Sequence, residues 1–238
     1  MESAHIPLPH TYIKIRRLME VTLILLSSPL ILLLFIIIAL LVKLDSRGSI
    51  IFKQIRLGLN NKYFTMYKFR SMLNNSVENF LTQENDLRLT KVGGFIRKYK
   101  LDEIPQFWNV LKNDMSLIGP RPVPFNFIAA YKGEICNYAN RHMIKPGITG
   151  LAQVMIGYTN SMDGEKLKFR YDLEYIQNMG LSIDFFIIIT TVKTLIKPKG
   201  IMPEEVIKFQ IRPSFKNMSR NTIAKIMEQK YEAVENND

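Results

Sequence analysis

From Val21 to Val42 the chain carries no charged residue, and a run of about twenty apolar residues is what a helix needs to reach across the hydrocarbon core of a bilayer. In lipid the backbone must satisfy its own hydrogen bonds, so a helix is the form expected of this stretch. A secretory signal would have a shorter apolar core and a small-residue cleavage site, and neither is seen. Ser27-Ser28-Pro29 stands inside the run. Pro29 has no N–H to offer the carbonyl of Leu25, so the helix is expected to bend there, with the Ser27 or Ser28 hydroxyl able to take up the freed carbonyl. Lys14, Arg16 and Arg17 precede the run, and Lys43, Arg47, Lys53 and Arg56 follow it. A simple span keeps its basic flank on the cytoplasmic side alone. Two basic flanks and a central break therefore predict a re-entrant segment that enters the membrane, turns at Ser28-Pro29 and leaves by the same face. A kinked span with a basic far side is the alternative.

The second constraining stretch is Lys100-Leu101-Asp102-Glu103-Ile104-Pro105-Gln106-Phe107-Trp108-Asn109-Val110-Leu111, which runs on through Asp114 to Gly119-Pro120-Arg121-Pro122. Proline is tolerated in a helix only in the first turn, so a helix is predicted to start near Ile104. Asp102 and Glu103 then sit at its positive end, where unpaired N–H groups favour an ionised carboxylate and a phosphate or metal-bound phosphate can be held. Such a carboxylate can be nucleophile, base or metal ligand. An ordinary N-cap is an equally good reading of Asp102 alone, since Asp is a favoured cap.

The string Asp-Glu-x-Pro-Gln-x-x-Asn-Val-Leu-Lys-x-Asp-Met-Ser-x-x-Gly-Pro-Arg-Pro resembles the signature of the bacterial sugar transferases, the monotopic polyprenyl-phosphate phosphoglycosyltransferases. The resemblance takes in Tyr67-Lys68-Phe69-Arg70 and Lys145-Pro146-Gly147-Ile148-Thr149-Gly150 and covers roughly residues 12 to 197. It implies transfer of a hexose-1-phosphate from a UDP-sugar to polyprenyl (undecaprenyl) phosphate with release of UMP. It implies Asp102 as nucleophile in a covalent phosphosugar intermediate, with Glu103 as metal or proton partner and Mg²⁺ held by Asp102 and Glu103. Lys68, Arg70, Arg97, Arg121 and Lys145 are then the cations that neutralise phosphate, and Ser28-Pro29 is the membrane hinge. The family usually has Gly where Asn113 stands and Trp where Leu151 stands. Asn tolerates left-handed angles, so the turn at 113 is expected to survive; any sugar-stacking role at 151 is in doubt.

The residues themselves add to this. Between Lys43 and Arg70 lie seven Lys or Arg and one acid, Asp45. Ser49 to Phe52 and Tyr63 to Tyr67 are short β-branched and aromatic runs around the turn residues Gly58-Leu59-Asn60-Asn61, which predicts a small β-hairpin. Prolines on either side of Arg121 restrict the backbone around a guanidinium able to grip a diphosphate, with a mere rigid turn as the competing account. Lys145 to Gly150 reads as a type II turn whose N–H groups at Gly147, Ile148 and Thr149 could form an anion nest. Asp163 to Met179 is expected to be helical with Tyr171, Asp172 and Tyr175 on accessible turns, and Ser182 to cap an apolar helix to Ile196. Ile223, Ile226, Met227, Tyr231 and Val234 mark a last amphipathic helix.

The expected organisation is a re-entrant membrane segment at 12–43, a cytoplasmic catalytic domain at 44–200 and an amphipathic tail at 201–238, in an α+β, mostly helical fold with interfacial helices. The expected place is the bacterial inner membrane, with the catalytic domain facing the cytoplasm. The balance of 32 Lys and Arg against 21 Asp and Glu points to anionic partners; those expected are the UDP-sugar, polyprenyl phosphate and membrane lipid, not nucleic acid, and a homodimer is left open. The lone Cys136 excludes an intrachain disulfide, and His5, His10 and His142 show no metal-ligand spacing. There is no Walker loop, dinucleotide fingerprint, Gly-x-Ser-x-Gly or internal repeat. Two rivals are a non-catalytic basic membrane adaptor, which leaves two acids inside a basic region unexplained, and a lipid glycosyltransferase that releases UDP. The identity of the sugar and of the pathway it feeds is not written in the sequence.

Overall fold

A computed structural model describes residues 8–73, 86, 88–156 and 161–196; the polar stretch 74–85 and the tail from 197, with its expected amphipathic helix, lie outside them. The first element is a single helix, α1 (His10–Asp45), about 54 Å long at 1.5 Å per residue. Pro29 lies inside it and the helix continues through, so the expected helix–break–helix is one uninterrupted helix with a proline in its middle. The local chemistry is the expected one. The Ser28 hydroxyl donates to the carbonyl of Leu25, the group Pro29 leaves without a partner, at 2.7 Å, and Ser27 donates to Leu23 at the same distance.

The two long sides of α1 have different fates. Arg16, Glu20, Ile24, Ile38 and Val42 are buried, and with Ile31 and Phe35 they recur at helical spacing along one stripe. Ile24 and Ile31 pack with Met66, Val110 and Met115. Phe35, Ile38 and Val42 pack with Phe69 and Ile96. On the opposite side Leu26, Leu30, Leu33, Ile37, Leu40 and Leu44 repeat at the same spacing and are exposed. This is the one described helix long and apolar enough to cross a membrane.

Polar clamps fix both ends of α1 to the rest of the fold. Near its start, the Tyr12 hydroxyl donates to Asp184 at 2.5 Å, Arg17 donates to the carbonyls of Val110 and Leu111, and Glu20 accepts from the Ser116 hydroxyl and the Leu117 N–H. At its end, Asp45 accepts from the Val92 N–H at 3.0 Å, and the Arg70 guanidinium donates to the carbonyls of Val42, Ser46 and Arg47.

The expected hairpin is present as β1 (Ile51–Leu57) and β2 (Tyr63–Phe69), antiparallel, with Ile51 opposite Phe69 and Leu57 opposite Tyr63. Asn60 and Asn61 take left-handed angles in the turn, which Asn tolerates. Then follow α2 (Lys91–Lys98), capped by the Thr90 hydroxyl, and α3 (Gln106–Leu111). Next come β3 (Ser116–Ile118), α4 (Phe125–Glu134), β4 (Gly147–Thr149), α5 (Leu151–Ile156), α6 (Met162–Gln177) and α7 (Leu181–Ile196). Ser182 thus lies within α7 and does not cap it.

The strands β3 and β4 pair in parallel, Ser116 with Gly147 and Ile118 with Thr149. Their junction is as close as backbones allow: a Cβ on Gly147 would lie 2.1 Å from the nitrogen of Gly119. The segment read as a type II turn with a phosphate nest is therefore strand, and the Gly147 N–H already donates to the carbonyl of Pro120 at 2.9 Å. Ile148 packs into the apolar cluster around Ile24 and Val110, and the Thr149 hydroxyl meets that of Thr191 at 2.7 Å.

The acidic pair and its cations

Asp102 and Glu103 lie in a tight 3-10 turn, Leu101–Glu103, entered through Lys100 in the left-handed conformation (φ 57°). Pro105 stands at the cap position of α3, and no side chain caps the helix. Asp102 is not an N-cap. Three N–H groups of this stretch are taken by its own carbonyls, Glu103 by Lys100, Ile104 by Leu101 and Phe107 by Ile104. Burial instead raises the pKa of Asp102 above the usual carboxylate range, against the pull of Lys68 and with a push from Glu103. Its Oδ1 is buried without a hydrogen-bond partner, and its Oδ2 lies 3.9 Å from the Lys68 ammonium.

Glu103 is the opposite case. Its Oε1 accepts from Lys68 at 2.7 Å and from Arg121 at 2.8 Å. Burial pushes its pKa up, but the Arg121 guanidinium and the Lys68 ammonium outweigh burial and hold it well below the ordinary value. Two neighbouring carboxyls thus have their affinities for a proton driven apart, a pattern that marks sites of chemistry. Lys68 comes from β2, the acids from the turn before α3, and Arg121 from the loop after β3. Burial lowers the pKa of Lys68, although Glu103 pulls it the other way. Arg97, in the last turn of α2, and Lys100 act on Asp102 through their charge.

Two expected phosphate ligands are placed elsewhere. Arg70 is buried and spends its guanidinium on carbonyls at the end of α1 and on the Ser46 hydroxyl, so it is a latch for α1. Lys145 donates to Asn113 and feels the charges of Arg17, Glu20 and Arg16, which puts it beside the start of α1, past the far end of α3 from the acids. Asn113 itself adopts φ 71°, so the turn tolerates its replacement of glycine.

Other site-building residues went unread in the sequence. Asn109, wholly buried, accepts from the Tyr67 N–H at 3.1 Å and donates to the Thr65 carbonyl at 2.7 Å. It ties α3 to the strand that carries Lys68. Arg141 is buried between Glu165, at 2.8 Å, and Asp172, at 2.5 Å, and donates to the backbone carbonyl of Arg121. Tyr171, Asp172 and Tyr175 are buried, not accessible; burial raises the Asp172 pKa to about 6 even beside Arg141.

As a metal site the acids fit in part. Among the described residues no three His, Cys, Asp or Glu side chains gather as a metal cluster. Glu103 is engaged by two cations, which leaves Asp102 as the carboxylate with an unused oxygen. Mg²⁺ commonly takes one or two carboxylates and completes its shell with water and substrate phosphates, and Asp102 fits that limited part.

Residues 11–198 match the family model described as bacterial sugar transferase. The chain is 42% identical over 191 residues to a UDP-N-acetylgalactosamine-undecaprenyl-phosphate N-acetylgalactosaminephosphotransferase of Aeromonas hydrophila, covering 79% of this chain and 45% of that protein. It is 43% identical over 159 residues to a UDP-glucose:undecaprenyl-phosphate glucose-1-phosphate transferase of Escherichia coli (strain K12), covering 65% and 34%. It is 41% identical over 191 residues to the uncharacterized sugar transferase EpsL of Bacillus subtilis (strain 168), covering 79% and 90%. The chain thus spans less than half the length of the first two relatives and nearly all of the third.

Proposed function

The chain belongs to the bacterial sugar transferase family, and from that premise we propose that it moves a hexose-1-phosphate from a UDP-sugar to polyprenyl phosphate and releases UMP. The observation that carries the reading is the asymmetry of the acidic pair. Glu103 is locked between Lys68 and Arg121, while Asp102 keeps a buried oxygen that no hydrogen bond engages. A carboxylate oxygen without hydrogen bonds and shielded from water is a competent nucleophile.

In the first half-reaction the Asp102 carboxylate attacks the phosphorus that bears the sugar. An Asp–O–P bond forms as the P–O bond to the uridylyl phosphate breaks, and UMP departs with the electron pair. In the second, an oxygen of polyprenyl phosphate attacks the same phosphorus, and the carboxylate leaves with its electrons restored. With Asp102 ionised at the start, neither step takes up or releases a further proton. Lys68 and Arg121 neutralise the diphosphate, and their attachment to Glu103 fixes them before substrate arrives, which lowers the reorganisation required at the moment of reaction. Arg97 adds positive charge from α2. Mg²⁺, held by Asp102 together with substrate phosphates, would spread the charge of the diphosphate.

The polar clamps at both ends of α1 support a matching membrane arrangement. A helix whose two ends bond to the same domain cannot leave them on opposite sides of a bilayer, which supports a reading in which both ends share one face, taken in this proposal as the cytoplasmic one, and the Leu26–Leu44 stripe meets lipid. The outer side of α7 adds a second apolar row, with Leu181, Phe185, Ile188, Val192 and Ile196 all exposed, in the pattern of a helix lying in the interface. The site then stands at head-group depth, where a water-soluble nucleotide sugar and a lipid phosphate can take turns.

The test is a panel of UDP-sugars offered to the purified protein in nanodiscs containing polyprenyl phosphate, with the nucleotide product identified. UMP with one sugar and its absence in Asp102→Ala are expected. Release of UDP, or turnover that survives Asp102→Ala, would refute the reaction.

A further inference from the structure

Gln106 opens α3 one turn beyond the acids and is 1% exposed. Its carboxamide nitrogen has no hydrogen-bond partner. Leaving a buried donor unpaired costs about 1–3 kcal/mol, and such groups are rare enough in folded proteins to call for an explanation. Asp102 Oδ1, also buried, is the complementary orphan: an acceptor with no donor. The two do not pair with each other.

They belong nonetheless to one small region. Ile104 (φ −52°, ψ −40°) and Pro105 (φ −61°, ψ −16°) continue the right-handed turn of Leu101–Glu103 into α3. Side chains three and four apart on such a path are neighbours, with Cβ atoms about 5–6 Å apart. Gln106 is four residues from Asp102 and three from Glu103, and Glu103 is already occupied by Lys68 and Arg121. A donor and an acceptor both left open about one turn apart describe a guest that can satisfy both. A phosphoryl group bonded to Asp102 does so, because it consumes the carboxylate oxygen and offers its own oxygens to the amide.

We propose that the Gln106 carboxamide binds the phosphoryl group in transit on Asp102, its N–H donating to a non-bridging oxygen. The assignment rests on Asp102 being the nucleophile. A neutral donor suits the place: it orients the phosphoryl oxygens without competing, as a further cation would, for Glu103.

Gln106→Leu, close in size and without polar atoms, and Gln106→Glu, of the same shape with the donor replaced by a charge, test it. The readouts are the thermal unfolding temperature, the rate at which UDP-sugar without lipid acceptor adds the phosphosugar mass to the protein, and UMP release. The Leu variant is expected to unfold at or above the wild-type temperature, since it removes an unsatisfied group, yet to form the adduct at least tenfold more slowly. The Glu variant is expected to be slower still. Adduct formation at the wild-type rate in the Leu variant overturns the proposal while leaving Asp102 in its role. Loss of stability in the Leu variant with activity retained by the Glu variant assigns the residue to packing and also overturns it. Failure of the wild-type protein to carry any adduct removes the Asp102 reading and this assignment together.

Discussion

Neutralising Asp102 and neutralising Glu103 are expected to move thermal stability in opposite directions. Asp102→Asn removes the attraction of the Lys68 ammonium at 3.9 Å, worth about 4 kcal/mol at an effective dielectric of about 20, and the weaker pulls of Lys100 and Arg97. Against that it removes the cost of a buried carboxylate, several kcal/mol, and the repulsion of Glu103. The raised pKa of Asp102 gives the balance its sign: ionising this carboxyl costs the fold stability. A gain of about 1 kcal/mol corresponds to roughly 2–4 °C in a chain of this size. Glu103→Gln deprives two cations of an acceptor at 2.7 and 2.8 Å and strands a buried lysine. Breaking a buried pair in this way costs about 3–5 kcal/mol. Arg121, with its side chain 39% exposed, recovers part of its share from water, which leaves about 3 kcal/mol, or roughly 6–12 °C. The assay is thermal unfolding of both variants in one detergent at neutral and mildly acidic pH. Because the folded pKa of Asp102 lies above its unfolded value, its cost to the fold is full above the folded pKa and fades as the pH falls from there to the unfolded value. The advantage of Asp102→Asn should therefore shrink as the pH falls. Glu103 has a depressed pKa, so its stabilising share is lost only when the pH falls far below the ordinary carboxylate range, and the deficit of Glu103→Gln should persist. A drop in Asp102→Asn as large as that in Glu103→Gln would refute the account of the pair.

Arg70→Met should lower the unfolding temperature while leaving the KM for UDP-sugar unchanged, because its charged hydrogen bonds, each worth about 1.5–3 kcal/mol, go to the end of α1; a raised KM with stability intact would return Arg70 to the substrate. Single cysteines placed at Lys14 and at Lys43, in a background with Cys136→Ser, should both react with an impermeant thiol reagent from the cytoplasmic face of membrane vesicles. Labelling of the two from opposite faces would contradict the reading of α1.

What could be read in the sequence and what could not divides along physical lines. The apolar run, the hairpin around Asn60-Asn61 and the start of a helix near Pro105 depend on nearest neighbours, and all are present in the fold; of the Ser-Pro signal the hydroxyl bond to the Leu25 carbonyl is present and the break is not. The state of Asp102 depends on what covers it. At the open end of a helix ionisation would be favoured, but here the carboxyl is buried and the hydrogen bonds of Lys68 and Arg121 go to its neighbour. Arg70 and Lys145 misled for a similar reason: a cation in a suggestive string is equally suited to caps and carbonyls, and only the path of α1 decides. The Lys145–Gly150 segment carries true turn chemistry, yet β3 claims it as a strand partner. The roles of Arg141 and Asn109 could not be read locally because the partners that tie them to the site, Glu165 and Asp172 for the one and Thr65 and Tyr67 for the other, lie far along the chain.

The inner stripe of α1 has a practical corollary. Met66, Val110 and Met115 lean on Ile24, and Phe69 and Ile96 lean on Ile38 and Val42, so α1 is also a wall of the domain that holds the acidic pair. Trimming the chain to begin after Asp45 would bare that wall to water, and the remainder is expected to clump instead of staying soluble. A detergent-free version would have to keep the inner row letter for letter and repaint the outer leucines alone.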